Sequence, residues 1–344
     1  MILSLLSSIY ARITDLRNAR FASGRSRSFD LGARTISVGN ITSGGTGKTP
    51  LVTLIADRLA SRGEHVCVLT RGYGRKNPRK RVLVSDGTKI LADPRAAGDE
   101  PSEMARTLIG KAIVIADRNR VAAAHWANAK FGVSAFVLDD GFQHRRARRD
   151  VDIVCIDATD PFGGGKLLPA GRLRERLPNL ARATAVVITR ADLATDIDGI
   201  RSEIRRYNAA CPIFTARTVT SRMTSIGNFL DPGNNAKGPG TDLSGLAHSK
   251  AFAFCALGNP EAFFGQLRRD NYELAGTQSF RDHYVYGQSD ITALTKKALA
   301  AGAGYLMTTA KDAIKLGGVK FEIPCFVLEI KIVVDDDAHF SELL

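Results

Sequence analysis

The chain has 344 residues, of which 44% are hydrophobic and 24% charged, so it can form two globular domains with buried cores. A formal net charge of +13 indicates an acidic partner: a nucleotide, a nucleic acid or an anionic lipid. The five cysteines are scattered singly, which argues against a disulfide framework or structural zinc and fits a reducing cytoplasmic location. The basic clusters at 71–81 and 145–149 lack the motifs of nucleic-acid-binding modules, so we predict no nucleic-acid partner.

The first segment, residues 1–30, predicts an amphipathic helix. Its apolar residues recur at helical spacing: Ile2, Leu5, Leu6, Ile9, Ile13 and Leu16. This apolar part is too short to span a bilayer and lacks the features of a signal peptide. Arginines that suit anionic headgroups follow: Arg12, Arg17, Arg20, Arg25 and Arg27. An interfacial helix and an ordinary helix docked on its own domain both remain open.

Residues 31–213 alternate short β-branched runs with helical patterns, which predicts a parallel sheet with helices on both faces. The strand candidates are "TISVGN", "EHVCVLT", "KAIVIA", "SAFVLDD", "VDIVCID" and "TAVVITR". Ligands of such sheets collect at the carboxyl ends of the strands. We therefore look for the functional residues directly after these runs.

A glycine-rich loop, "TSGGTGKT", follows the first of these strands and precedes a predicted helix. Such a loop holds nucleotide phosphates with backbone N–H groups and a lysine, and its final hydroxyl binds Mg²⁺. The first glycine of the usual GxxxxGK[ST] pattern is replaced by Thr42. We predict a P-loop that binds a nucleoside triphosphate through Thr42, Ser43, Gly44, Gly45, Thr46, Gly47, Lys48 and Thr49.

Two further strand ends carry polar residues. Asp139 and Asp140 end "AFVLDD", where they are either a metal-binding carboxylate pair or turn and cap residues. "TRAD", at Thr189 to Asp192, is either a weak relative of the base-reading element of P-loop proteins or a helix-capping turn.

After about Pro212 the chain changes character. We predict a linker strand and Gly/Pro/Asn-rich loop at 214–250, a smaller C-terminal α/β domain at 251–325, and a return linker strand and tail at 326–344. The whole is an α/β fold: a P-loop domain and a small domain joined by a two-stranded linker.

The combination of motifs resembles the tetraacyldisaccharide 4'-kinase family. The resemblance covers nearly the whole chain in order, through "SVGNITSGGTGKTP", "LTRGYGR", "GDEP", "DDGFQH", "LLPAGRLRE", "ALGNPEAFF", "DHY" and "TTAKDAIKL". It implies transfer of the γ-phosphoryl of ATP to the 4'-hydroxyl of an acylated glucosamine disaccharide 1-phosphate in lipid A biosynthesis. It also implies a peripheral location at the cytoplasmic face of the inner membrane, on an anionic lipid surface, and we expect a monomer.

The resemblance also implies residue roles. Asp99 of "GDEP" corresponds to a general base, supported by His283 of "DHY", and Lys48 holds the β- and γ-phosphates. From the sequence alone, Asp99 is first a helix N-cap and His283 a structural histidine. The implied metal ligands for Mg²⁺ are Thr49, Asp139, Asp140 and Glu175. We place substrate contacts at Arg71, Tyr73, Arg75, His144 and Arg172, although these arginines could equally meet ATP or lipid.

Two rival classes fit part of the pattern. Membrane-surface partitioning ATPases have a similar loop and an amphipathic helix, but they carry a second lysine where this chain has Ser43. Membership of that class would also not account for the "DDGFQH" motif. A basic lipid-binding scaffold with a relict nucleotide site would have no activity. Phosphoryl transfer to a hydroxyl acceptor separates the kinase from both.

Overall fold

The computed structural model describes residues 2–231, 249–282 and 284–344. The chain divides into two compact units: Met1–Thr218 with Ile332–Leu344 forms unit 1, and Val219–Lys331 forms unit 2. The predicted α/β class is confirmed. The five-part division predicted from the sequence is finer than these two units and stays a prediction. His283 and most of the predicted Gly/Pro/Asn-rich loop lie outside the described residues.

The sheet of unit 1 is built from short runs of Val, Ile, Leu and Ala that are buried on both faces, as parallel strands require. Its strands are β1 (Arg34–Asn40), β2 (Val66–Thr70), β3 (Val82–Ser85), β4 (Ala112–Ala116), β5 (Ala135–Asp139), β6 (Val151–Asp157), β7 (Ala185–Thr189) and the start of β8 (Ile213–Ser225). The order across the sheet is β3-β4-β2-β5-β1-β6-β7-β8. Neighbours are parallel except β3 and β4, which are antiparallel.

The six predicted strands of this region correspond to β1, β2, β4, β5, β6 and β7. The short edge strand β3 was not predicted, because only four residues after a basic loop give no clear alternation. The helices of this part are α1 (Ile2–Ala22), α2 (Lys48–Ser61), α3 (Pro94–Ala97), α4 (Asp99–Thr107), α5 (Arg120–Phe131) and α6 (Ile197–Tyr207). Among them, α2 and α4 bury apolar side chains in one core, while α5 and α6 contribute to two others.

In unit 2 four strands pair in the order β10-β9-β11-β12, and these three pairs are parallel. Its elements are α7 (Ile226–Leu230), β9 (Lys250–Cys255), α8 (Pro260–Arg269), β10 (Leu274–Ser279), α9 (Gln288–Ala300), β11 (Ala303–Thr309), α10 (Ala310–Ala313) and β12 (Cys325–Val334). The Asn259 side chain caps α8, and Pro260 occupies its first turn, where a missing N–H costs nothing. The predicted second α/β alternation is therefore present.

The chain passes between the units twice, within β8 and within β12. After β12 the last helix, α11 (Asp337–Leu343), returns to unit 1. Phe340 and Leu344 are fully buried there, in the same core as Ile332 and Val334. The C-terminus thus completes the core beneath α2.

Candidate active site

The glycine loop lies between β1 and α2, as predicted. Gly44 and Gly47 have left-handed backbone angles, with φ of 113° and 74°, which favour glycine. Gly47 is the N-cap of α2 and supplies no side-chain cap, so the first N–H groups of this helix remain for an anion. The hydroxyl of Thr189 donates to the carbonyl of Thr46 at 2.9 Å and supports the loop from β7.

The missing first glycine has a structural explanation. Thr42 forms an antiparallel bridge with Leu173, the Ser43 N–H donates to the Arg172 carbonyl at 2.7 Å, and the Arg174 N–H donates to the Ile41 carbonyl at 2.8 Å. Thr42 is not among the residues with positive φ, so no glycine is required. A β-bridge to a distant segment fixes this part of the loop instead.

Two arginines brace the loop from outside. Arg172 donates to the Ser43 carbonyl at 2.8 and 3.1 Å and pairs with Asp160 at 2.5 Å. Arg190 donates to the Gly45 carbonyl at 3.1 Å and pairs with Asp157. The guanidinium of Arg172 thus supports the loop backbone, while its side chain stays 48% exposed, and its predicted contact with the substrate stays a prediction.

The "TRAD" turn also supports the glycine loop. Its capping interpretation is wrong, because the Asp196 side chain accepts from Gly199 and caps α6. Thr189 and Arg190 contact the loop backbone, while Asp192 is exposed. Whether this turn reads a base stays a prediction.

Asp139 and Asp140 end β5 and have opposite electrostatic environments. Asp139 is 4% exposed and accepts from the Thr70 hydroxyl at 2.7 Å. Burial, together with Glu100 and Asp140, raises the pKa of Asp139 to about 6 against the opposing effects of Thr70 and Lys48. The two carboxylates therefore resist being ionised together without added positive charge.

The partners of Asp140 are cationic. Arg174 donates to both of its oxygens, at 2.5 and 2.9 Å, and the Lys48 ammonium lies 3.9 Å away. Burial raises the pKa of Asp140, but Arg174, Lys48 and Arg120 outweigh it and hold this pKa at about 2. The P-loop lysine thus lies next to the carboxylate pair.

The donor set suits Mg²⁺, a hard cation that takes few protein carboxylates and completes its shell with phosphates and water. Thr49 lies in the first turn of α2, next to Lys48, and the described residues include no cluster of three or more His, Cys, Asp or Glu side chains suited to a metal. Glu175 is already committed: it accepts from Asn18 at 3.0 Å, from Gln143 at 2.8 Å and from Arg182 at 2.9 and 3.1 Å. These four hydrogen bonds support a structural role for Glu175, and its predicted role as a metal ligand stays a prediction.

Asp99 lies in the first turn of α4, and the N-cap is Gly98. The capping interpretation of Asp99 is therefore wrong. Gly98 has a φ of 96°, and a Cβ at this position would lie 2.6 Å from the Tyr73 carbonyl oxygen, so only glycine permits this approach. Because the charge of Glu100 raises the pKa of Asp139, the start of α4 is electrostatically coupled to the carboxylate pair.

The predicted substrate residues after β2 separate into open and buried positions. Arg71 donates to the Tyr73 hydroxyl at 2.8 Å and stacks on its ring at 4.9 Å, and Tyr73 is 47% exposed. Arg75 is buried and donates to the backbone carbonyls of Pro78, Lys80 and Ala116. Arg75 thus closes its own loop, and its predicted contact with the substrate stays a prediction.

His144 follows β5 in the same region. Burial first, and then Arg120 and Arg149, lower the pKa of His144 to about 4, so the ring is neutral at physiological pH. Its buried Nε2 has no hydrogen-bond partner among the described residues, which is compatible with the predicted role in binding a ligand.

Two arginines that the sequence analysis did not single out complete the charge balance. Arg174 binds Asp140, as above, and the 4%-exposed Arg120 donates to the Asp139 carbonyl at 3.0 Å. Arg174 follows Leu173 within the quoted "RLRE", and Arg120 starts α5 after β4. Only the position of Arg120 after β4, and of Arg174 after the bridging residue Leu173, could have marked these two residues as part of the site.

Helix α1 docks through its polar side. Ser7 donates to the Leu167 carbonyl at 2.7 Å, and Tyr10 to the Arg174 carbonyl at 2.9 Å. The apolar residues of the stripe are 45–75% exposed: Ile2, Leu5, Leu6, Ile9, Ile13 and Leu16. The structure therefore contradicts docking through the apolar stripe. Among the described residues, no helix combines the length and apolarity needed to cross a bilayer.

Comparison with known proteins gives one consistent family. The family model for tetraacyldisaccharide-1-P 4'-kinase matches residues 1–344. The chain is 40% identical over 318 residues to the tetraacyldisaccharide 4'-kinase of Geobacter metallireducens, covering 92% of this chain and 89% of that protein. It is 37% identical to the enzyme of Halothermothrix orenii, covering 100% and 91%.

A solved structure is similar over almost the same range. It is the crystal structure described as the "apo" form of LpxK from Aquifex aeolicus in complex with ATP. The TM-score is 0.76 at 29% sequence identity, and the match covers 98% of this chain and 96% of that one.

Proposed function

The chain belongs to the tetraacyldisaccharide 4'-kinase family and is a kinase, and on that premise we propose that it transfers the γ-phosphoryl of ATP to the 4'-hydroxyl of an acylated glucosamine disaccharide 1-phosphate. The observation that carries the proposal is the P-loop lysine next to the Asp139–Asp140 pair, with the start of α4 electrostatically coupled to the same pair. Phosphoryl transfer needs this combination of phosphate binding, metal binding and a group to receive the acceptor proton.

The roles in the proposal follow from this geometry. Lys48 and the N–H groups of the glycine loop hold the β- and γ-phosphates, and they stabilise the charge of the transferring group. Mg²⁺, held by Thr49 with Asp139 or Asp140, supplies positive charge between the phosphates when bound. Such a cation would also favour ionised Asp139, whose pKa is raised by burial and then by Glu100 and Asp140.

Proton removal falls to Asp99 in the proposal. Its carboxylate accepts the proton of the 4'-hydroxyl while the hydroxyl oxygen bonds to the γ-phosphorus and the bond to ADP breaks. His283 supports Asp99, as the family resemblance implies. Arg71, Tyr73 and His144 are proposed to contact the substrate, because Tyr73 is exposed, Arg71 lies half-buried beside it and His144 has a ring nitrogen without a partner among the described residues.

The location is part of the same proposal. The exposed apolar face of α1 suits insertion at a membrane surface, since such a face in water is unfavourable unless a partner covers it. We place the protein, as a monomer, on the cytoplasmic face of the inner membrane, where an acylated acceptor would be within reach.

The test is incubation of the full chain with γ-labelled ATP, Mg²⁺ and a detergent-dispersed acylated disaccharide 1-phosphate. Label should appear on the lipid and be absent when the acceptor's 4'-position is already phosphorylated. Lys48→Ala should lose the transfer, whereas Lys296→Ala, at an exposed position of unit 2, should keep it.

Two results would contradict the proposed phosphoryl transfer. A folded protein that binds ATP without labelling the acceptor would overturn the proposal. ATP hydrolysis that rises on addition of vesicles, with no labelled lipid, would instead favour a membrane-surface switch ATPase.

A further inference from the structure

A second surface beside α1 is dominated by arginine. The chain after α1 pairs with the loop between β5 and β6: the Phe29 N–H donates to the Arg146 carbonyl at 2.7 Å, and the Arg148 N–H to the Phe29 carbonyl at 2.8 Å. The Ser28 hydroxyl donates to the Arg145 carbonyl at 2.7 Å. We call residues 20–30 and 145–148, joined in this way, the arginine ridge.

The ridge carries six arginines and one acidic residue: Arg20, Arg25, Arg27, Arg145, Arg146, Arg148 and Asp30. Asp30 lies 3.9 Å from Arg148, and their side chains are 69% and 70% exposed, so this pair neutralises little. Within the described residues, Arg20, Arg25 and Arg27 are exposed, and their guanidinium groups make no hydrogen bond or ion pair. The ridge therefore presents uncompensated positive charge to solvent.

The neighbouring Arg149 shows that this charge is not needed to build the loop. Arg149 pairs with Asp152 at 2.8 Å and donates to the carbonyls of Phe142, His144 and Ala147. One buried arginine thus holds the loop together from inside. Arg146 and Arg148 are left on the outside, and Arg146 stacks on the exposed ring of Phe29 at 5.5 Å.

The ridge continues the exposed face of α1. Ile2, Ile9, Ile13 and Arg20 follow one another at spacings of seven and four residues, which places them on one face of the helix. The apolar face therefore ends in an arginine at the last turn of α1. A surface on which the apolar face lies is also within reach of the ridge.

We infer that the arginine ridge is a binding surface for the phosphate headgroups of an anionic bilayer, independent of the apolar face of α1. This rests on the proposed membrane location but not on the phosphoryl transfer. Stable attachment to a bilayer generally takes two signals, and an apolar element with a polybasic patch is such a combination. The apolar face should bind any bilayer, whereas the ridge should select anionic ones.

The experiment measures binding of the full chain to vesicles of phosphatidylcholine, with and without phosphatidylglycerol. Arg27→Gln with Arg148→Gln removes one charge from each segment of the ridge. Each arginine near an anionic surface contributes about fivefold in affinity, so this variant should bind anionic vesicles roughly 25-fold more weakly. Binding to neutral vesicles should stay unchanged, and the Arg27→Lys with Arg148→Lys variant should bind as the parent does.

The matched control is Lys296→Gln with Lys331→Gln, which removes the same charge from exposed positions of unit 2. An equal loss in this control would overturn the inference, because net charge alone would then explain the binding. Unchanged binding of the Arg27/Arg148 variant to anionic vesicles would also overturn it. Kinase activity on detergent-dispersed acceptor is measured in parallel, so failure of the proposed activity and failure of the ridge give different results.

Discussion

Replacement of Asp139 by asparagine should stabilise the nucleotide-free protein while it abolishes phosphoryl transfer. Burial, Glu100 and Asp140 raise the pKa of Asp139 from 3.8 to about 6. Between these two values the unfolded chain binds fewer protons than the folded one, so this group's contribution to stability falls as the pH rises through that window. At pH 7 the ionised carboxylate costs about 3 kcal/mol, since the pKa rises from 3.8 to about 6 and one pKa unit corresponds to about 1.4 kcal/mol.

Asparagine removes this cost and keeps an oxygen for the Thr70 hydroxyl, which donates to Asp139. The free energy of unfolding at pH 7 should therefore rise by up to about 3 kcal/mol. Turnover should fall at least 100-fold, because a neutral amide is a poor Mg²⁺ ligand beside phosphate. A gain of stability with a loss of function is typical of charged active-site groups.

Asp140→Asn is the matched control, with the opposite sign. The pKa of Asp140 is held at about 2, so its stabilising contribution is present above its ordinary value and is lost as the pH falls through about 2. In this variant Arg174 loses its charge partner and keeps one acceptor oxygen in place of two, in a site where its side chain is only 20% exposed. We expect a loss of roughly 2 kcal/mol at pH 7.

The assay is urea unfolding without nucleotide, at pH 7 and at about pH 4.5, where native Asp139 is largely protonated. The advantage of Asp139→Asn should be present at pH 7 and mostly gone at the lower pH. The reasoning fails if this variant is no more stable than the parent at pH 7, or if its gain is the same at both pH values.

Other substitutions test separate parts of the proposal. Lys48→Ala should cost about 3 kcal/mol of transition-state stabilisation, seen mainly in kcat, and activity within about threefold of the parent would contradict its role. Leu6→Asp with Ile9→Asp should release the chain from vesicles and leave ATP binding intact, because both side chains are exposed on the outer face of α1. Loss of ATP binding in this variant would contradict the expectation. Asp99→Asn should reduce turnover ~10²–10⁴-fold. Adding His283→Ala to this variant should reduce turnover little further if the two residues act as one unit. If the loss in the double variant equals the product of the two single losses in steady-state kinetics, the residues have independent roles.

Much of the fold was predictable because its signals are local. The buried runs of unit 1 are rich in Val and Ile and separated by helical patterns, which identifies parallel strands. The GK[ST] core of the loop is also recognisable from the sequence, since Lys48 and Thr49 come directly before an amphipathic run that predicts a helix. The local pattern does not explain why Thr42 can replace the first glycine. The conformation of Thr42 depends on a bridge to Leu173, which lies more than 100 positions away in the sequence.

The arginines of the site show a different limit. A guanidinium has five donors and serves equally well for phosphate, carboxylate or backbone carbonyls, so residue type alone does not assign Arg75, Arg172 or Arg174. Burial and partners do: Arg75 closes its loop on carbonyls, Arg172 braces Ser43 and Arg174 holds Asp140. The partners of Arg172 and Arg174 come from other elements of unit 1, and their identity is information that only the folded chain contains.

The contacts of Arg174 also join the surface helix to the reaction centre. Its carbonyl accepts from Tyr10 of α1, its guanidinium binds Asp140, and the next residue, Glu175, accepts from Asn18 of the same helix. The inward side of α1 is thus connected to the carboxylate pair through one residue, while the outward side is free to meet a bilayer. Under the proposed function, this connection would keep the lipid surface and the Asp139–Asp140 pair at a fixed distance from each other.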